Sequence, residues 1–559
     1  MATPTEVAAS SALSLAAIPA ADKPSSSKTS LTDEKVVDVE SLDDNLIHGH
    51  VLKNGVRVAI SWTKEEQRRL VRKADLFLLP IFTVLFFWMH LDRTNLGSVL
   101  TTTFLKDTGI TKDEANTGTS LLWLGVTLLE IPSNIILQRV GAHIWIPAQV
   151  VVWGLAEVLH MFVSNPGGFY VARLALGLLE SGFIPGALYT IQRWYTQEEL
   201  VKRTVIFFYG TSIASACGSF IAAGCIKIDG HLGLKSWQWI FLIDGVCTIF
   251  CGVLAFLLLP RDARSTAGLL RGKGWFNERE ADVFMARIET ADPLKEQGAT
   301  LKITFKDVLS VLGDWRLYPH FLLCLSGLQS VGGLMTWGAS IIKGLGFSSI
   351  RTFISDPGSS YSAILTAASA GANLLNIPGP ILTCLTSFLL AIPLDRYRRG
   401  YGFGIAFAAL WTLAGLIALY SLPVLQNTHN WGFYAAYVFT SAAPAWQPIN
   451  VTWVALSMRT PQRRAIAYAA YIGASNLGST YGSQVFRASD APRYKKAWAA
   501  CLSLGAVWLA TALIQTSQYW LSNRKKAQRW ASITAEEQEE YKQTATEQTG
   551  RRLDFQYPF

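Results

Sequence analysis

Long apolar runs separated by short polar breaks dominate the chain. Runs near 76–97, 117–137, 145–163, 168–190, 203–226 and 237–259 are each about 20 residues long, enough to cross a bilayer as a helix. A hydrophilic stretch follows from Arg261 to about Asp314. Six more runs lie near 318–341, 372–394, 401–423, 431–456, 464–486 and 498–521. The pattern predicts an all-α membrane protein of about twelve transmembrane helices in two six-helix bundles, 61–260 and 316–521. Residues 1–60 read as a disordered tail, 261–315 as a central loop and 522–559 as a second tail, with both tails on one side. Thr63 to Glu66 reads as a capping box opening a short amphipathic helix before the first span, and Asn277 with Glu280 as another in the central loop. The second precedes an amphipathic run with Val283, Phe284, Ala286 and Ile288, expected to lie on the cytoplasmic face.

Composition agrees with this picture. Half of the residues are hydrophobic, 16% are charged, and the mean hydropathy is +0.27. The net charge of +9 does not point to nucleic acid, because the cations flank apolar runs. Arg68, Arg69, Arg72 and Lys73 stand directly before the first span and predict cytoplasmic termini. The seven cysteines lie in or beside apolar runs without ligand-like pairing to histidine, so neither a metal site nor a cofactor is expected. No nucleophile triad or phosphate loop is present, which argues against an enzyme.

Charges inside the apolar runs are the candidate chemistry. A charge at bilayer depth costs about 2.5–3.5 kcal/mol on insertion scales and marks a functional position by default. Arg173 and Glu180 are seven apart, on nearly one face of the fourth span, with Gly177 between them where a backbone or a substrate can approach. Asp92 and Arg93 interrupt the first span, with a structural pair near the outer end of a long helix as the alternative to a functional one, and Glu130 interrupts the second. An anionic substrate needs a cation near the midplane, and Arg93 is the first choice because arginine pairs with a carboxylate through two parallel hydrogen bonds. Proton coupling needs a desolvated carboxyl group, for which Asp92 and Glu180 are the candidates. Arg173 reads equally as a counter-charge for Glu180 and as a ligand. Gln329, Asn373, Gln447, Asn450 and Asn476 read equally as substrate contacts and as interhelical hydrogen bonds. Glu130 and Arg139, with Asp395 and Arg396, read as inner-gate positions, with a helix–helix lock for Glu130 and a solvated charge run for Asp395 and Arg396 as alternatives. Glu157 and His160 read as a satisfied polar pair, with a relay as the alternative, Asp244 as a partner for loop cations, and His320 as an interfacial residue near a helix end.

Several motifs carry a family resemblance: Arg72-Lys73-Ala74-Asp75, Leu91-Asp92-Arg93-Thr94-Asn95-Leu96-Gly97, Glu130-Ile131-Pro132-Ser133-Asn134 and Arg139-Val140-Gly141. Arg173 followed by Gly177, Glu180, Gly182-Phe183 and Pro185-Gly186 continues the pattern. Gly346-Phe347-Ser348, Ala372-Asn373-Leu374-Leu375, Gln447-Pro448 with Trp453, Asn476-Leu477-Gly478 and Phe486 to Tyr494 complete it. In order and spacing the chain resembles the major facilitator superfamily, and within it the fungal allantoate permease family of the anion:cation symporter branch. The resemblance covers about residues 62–525. It implies symport of a small organic anion such as allantoate, ureidosuccinate, nicotinate, pantothenate or biotin, by a monomer in the plasma membrane. It also implies proton coupling at Asp92 and Glu180 and substrate binding at Arg93. An exporter of an acidic secondary metabolite and a non-transporting nutrient sensor are the alternatives. Arg351 to Gly371 departs from the pattern, reading as an outer loop, an extension of the eighth helix, or a retained intron translated in frame.

Overall fold

The computed structural model describes residues 46–53, 56–267, 274–291, 305–345, 369–397, 400–423, 430–458, 461–491, 493–544 and 552–558. The chain divides into two compact units, Met1–Leu46 and Ile47–Phe559, and the described helices all lie in the second. Almost all of the Arg351 to Gly371 insertion lies outside the described residues.

The amino-terminal half contains α1 (Lys64–Val99), α2 (Lys112–Val140), α3 (Ala142–Leu159), α4 (Pro166–Glu180), α5 (Phe183–Trp194), α6 (Gln197–Lys227) and α7 (Ser236–Leu258). Side chains set the starts. The Thr63 hydroxyl accepts from Glu66 N at 3.1 Å, so the expected cap is present. The helix it opens does not stop short, however, but continues through the membrane span to Val99. Thr111 and Glu114 cap α2 reciprocally, and Asn165 with Pro166 starts α4.

The fourth span is not one helix. It breaks after Glu180 at Ser181-Gly182, where Gly182 has φ +80° and a Cβ would collide with Ser133. Gln149 Nε2 satisfies the freed Ser181 carbonyl at 2.8 Å, and the Ser181 hydroxyl ties the break to α2 by donating to Val126 O at 2.9 Å. Gly177 faces α2 so closely that any side chain would strike the Leu122 carbonyl.

After α7 comes α8 (Glu278–Ala291), the amphipathic helix of the central loop. Val283, Phe284, Ala286 and Ile288 are buried in one core with Leu70 and Ala74 of α1 and with Trp194. Glu280 Oε2 accepts from Asn277 N at 2.9 Å and from Lys73 Nζ at 2.8 Å, and Arg287 Nη1 lies 2.7 Å from Glu199 Oε1. Two strands, β1 (Leu46–Lys53) and β2 (Val56–Thr63), pair into a small sheet that brings Val51 and Trp62 into this core. This corrects the expectation of a wholly disordered tail through residue 60.

The carboxy-terminal half contains α9 (Tyr318–Gly327), α10 (Gln329–Gly344), a helical segment at 369–375, α11 (Pro378–Tyr397), α12 (Tyr401–Ser421), α13 (Trp431–Ser441), α14 (Gln447–Ser457), α15 (Pro461–Gly482) and α16 (Lys495–Ala531). The run expected at 431–456 is broken between α13 and α14, where Pro444 removes a backbone donor. Hydroxyls of α11 take up the freed groups. Thr383 Oγ1 donates to Ser441 O at 2.5 Å, Thr386 Oγ1 donates to Ala442 O at 2.8 Å, and Ser387 Oγ accepts from Ala445 N at 2.8 Å.

Among the described residues, ten helical stretches are long and apolar enough to cross a membrane. The broken α13–α14 run and the more polar α15 bring the arrangement to the expected twelve. The expected second tail also starts late, because α16 runs on to Ala531. The short exposed helix follows as α17 (Ala535–Thr544), but Tyr557 then stacks on Tyr519 at 4.5 Å and is buried rather than loose.

Candidate functional site

Two adjoining chambers of ≈ 200 and ≈ 220 Å³ lie between the halves. They share His90, Thr94, Gly97, Thr211, Leu328 and Gln447, so they form one crevice with two lobes. One lobe is rich in hydroxyls, including Thr94, Ser98, Ser212, Ser215 and Ser441. The other carries Arg93 and Arg173 among aromatic residues such as Trp123, Phe208, Tyr468 and Tyr471. The α13–α14 break supplies Ala443 to Gln447 to the first lobe, a placement typical of irregular backbone at membrane depth.

Arg93 and Glu180 meet at the second lobe. Arg93 Nε lies 2.5 Å from Glu180 Oε2, with the two side chains 7% and 0% exposed. The guanidinium also sits over the Trp123 ring, 4.9 Å from its centroid. Asp92 is the next residue but faces the other way, as the 100° turn per helical residue requires. Its carboxyl group lines neither lobe; Trp153 Nε1 donates to it at 3.0 Å and Thr248 Oγ1 stands 3.4 Å away. Arg173 is 1% exposed and packs over Phe169 and Phe241 at 5.5 and 5.9 Å. It makes no ion pair with Glu180; Arg93 takes that place.

The polar candidates of the second half separate into two groups. Gln329, Gln447 and Asn476 line the crevice. Asn476 Nδ2 also donates to Glu130 Oε2 at 2.7 Å, joining α15 to α2 across the halves. Glu130 is therefore a buried contact between the halves. Asn373 and Asn450 stand away from the crevice. Asn373 accepts from Ser98 Oγ at 2.8 Å and donates to Thr101 Oγ1 at 3.2 Å, closing the end of the crevice where α1 stops. Lys343 Nζ to Thr101 O (2.6 Å) and Asn116 Nδ2 to Phe486 O (2.7 Å) seal the same end. Asn450 Oδ1 pairs at 2.6 Å with Nδ1 of His320, which is fully buried rather than interfacial. Arg139 and Arg396 are exposed, and Asp395 lies near the end of α11.

Three features were missed from the sequence. His90 lines both lobes, and a histidine in an apolar run was signal enough. Trp123 supports Arg93. Asp244 does not meet loop cations: it is buried beside Asp92 and Glu157, with one carboxylate oxygen of each within 4.8 Å of the others. Glu157 and His160 stand 3.7 Å apart, too far for a hydrogen bond.

A helical membrane protein with a polar crevice between two halves belongs to the class of secondary transporters. Residues 82–483 match the family model of the major facilitator superfamily, and the chain belongs to that superfamily. It is thus a multi-pass transporter and not an enzyme. It is similar to an uncharacterised transporter of Saccharomyces cerevisiae, 27% identical over 500 residues, which cover 89% of this chain and 88% of that one. A putative tartrate transporter of Agrobacterium vitis is 30% identical over 286 residues, covering 51% of this chain and 63% of its own length. The fold is similar to that of the Escherichia coli xylose transporter XylE in a partially occluded inward-open conformation, with a TM-score of 0.56, 15% identity, and coverage of 79% of this chain and 97% of that one.

Proposed function

We propose that the protein is a proton-coupled transporter of a small organic anion, working by alternating access, with both termini cytoplasmic and the plasma membrane as its site. The ion pair of Arg93 and Glu180 at the crevice wall carries this reading. A substrate carboxylate and Glu180 compete for one guanidinium. With Glu180 ionised, Arg93 is occupied. A proton on Glu180 removes the competing charge, and Arg93, held against Trp123, pairs with the substrate. Rocking of the halves turns the crevice to the other side, where loss of the proton lets Glu180 reclaim Arg93 and release the substrate. Asp92 is the second carboxyl group of the coupling machinery.

The polar lining of Gln329, Gln447 and Asn476 suits the amide, ureide or ring nitrogen groups of pantothenate, allantoate, nicotinate or biotin. Tartrate, named for the Agrobacterium relative, is itself a dicarboxylate, which favours an anion. The deciding experiment is uptake of radiolabelled vitamins and ureides into deficient yeast, with and without a protonophore. Gradient-dependent uptake of a carboxylate is expected; uptake indifferent to the protonophore overturns the coupling.

A further inference from the structure

We propose that Asp92, Glu157 and Asp244 form a proton-binding site of their own, inside the amino-terminal half and apart from the Arg93–Glu180 pair. The proposal rests on the proton-coupled reading and extends it to two carboxyl groups from α3 and α7.

All three side chains are fully buried, on three different helices. Both carboxylate oxygens of Asp244 and both of Glu157 lack a hydrogen-bond partner. Two carboxylates facing each other repel, whereas a carboxyl and a carboxylate bond through a shared proton. The surrounding charges point the same way. Arg173 and Glu180 of α4, His160 just after α3, and the Cys225 and Cys247 thiols of α6 and α7 are the titratable and charged groups that face the cluster, beside Arg93 of α1. His160 Nδ1 stands 2.8 Å from Ala156 O, so its N–H is turned to that carbonyl rather than to the cluster. Among the described residues the neighbourhood thus holds four carboxyl groups against two guanidiniums, and Arg93 is already bonded to Glu180.

A second observation stands outside the cluster. Asn95 turns its amide toward Glu157, and Arg173 presents Nε and Nη2, buried and without a hydrogen-bond partner. These are N–H donors, which repel a metal cation. Beyond the carboxylates, Thr248 contributes a single hydroxyl. The buried N–H donors beside these oxygens favour a proton over sodium. Asp92 is one peptide link from Arg93, so a movement of α1 shifts both residues together.

The test is infrared difference spectroscopy on the purified full chain in lipid vesicles, titrated from about pH 8 to about pH 5. Wild type should show protonated-carboxyl bands that D244N and E157Q each diminish, with the midpoint of the remaining band moved to lower pH because a repelling charge has gone. The charge-preserving D244E should restore the wild-type midpoint, which a merely structural role does not require. E180Q should leave these bands in place. Bands untouched by both D244N and E157Q overturn the proposal, as does loss of the bands on replacing choline chloride with sodium chloride, which would assign the cluster to sodium. If the bands behave as expected while uptake ignores the proton gradient, the coupled-transport reading fails and the proton site stands.

Discussion

Arg93 and Glu180 lie 87 positions apart yet meet at 2.5 Å, on α1 and at the last residue of α4, immediately before the chain breaks. The break lets α4 end at the crevice, so the carboxylate is presented at a helix terminus rather than inside a continuous rod.

Glu180→Gln removes the charge that occupies Arg93. Gradient-driven accumulation in proteoliposomes should be abolished, while exchange of labelled for unlabelled substrate across the same membrane persists. Loss of both activities would assign Glu180 a structural role.

Arg93→Lys keeps the charge but loses the planar fork and the packing over Trp123. Substrate affinity should fall by about tenfold to a hundredfold, equivalent to about 1.4–3 kcal/mol, measured by isothermal titration. An unchanged Kd would move the anion site elsewhere, with Arg173 the next candidate.

Gly177→Val drives a branched side chain into the Leu122 carbonyl, and backbone does not yield as a side chain does. The variant should be lost from the monodisperse peak in detergent chromatography. Gly182→Ala forces φ +80° on a residue with a Cβ and crowds Ser133. It should lower stability by about 1–2 kcal/mol from the backbone alone, read as a reduced Tm.

Asn476→Leu leaves the buried Glu130 carboxylate without its donor from the opposite half. An unmet buried polar group costs about 1–3 kcal/mol, here only in the state that pairs the halves. Labelling of cysteines placed along α2 and α15 should shift toward the state in which these helices separate.

The helix count was legible because a membrane span must be long and apolar, and the runs from Leu76 to Gly97 or from Tyr401 to Pro423 satisfy that directly. The breaks at Ser181-Gly182 and around Pro444 were harder, since a broken span has the same length and composition as a whole one. Gly182, Pro185 and Pro444 were the available signals. The small sheet had its own: Asn54-Gly55 between two β-prone runs is a strong hairpin pattern. Arg93 and Glu180 were recognisable as intramembrane charges, but their partnership was not. The face shared by Glu180 and Arg173 pointed to Arg173, whereas the close ion pair is with Arg93, because helix periodicity reports neighbours on one helix and is silent about the next. Asp244 failed for the same reason, its companions lying on α1 and α3.

The hydroxyls that α11 lends to the α13–α14 break have a further consequence. Thr383, Thr386 and Ser387 fasten one side of α11 to backbone that lines the crevice, while Ile381, Leu385, Phe388, Leu389 and Ile392 project outward, exposed and apolar. The helix is a strut with lipid on one flank and the binding chamber on the other. Bilayer thickness and acyl-chain order thereby become variables of the site itself, and transport rates should be compared only between vesicles of matched lipid.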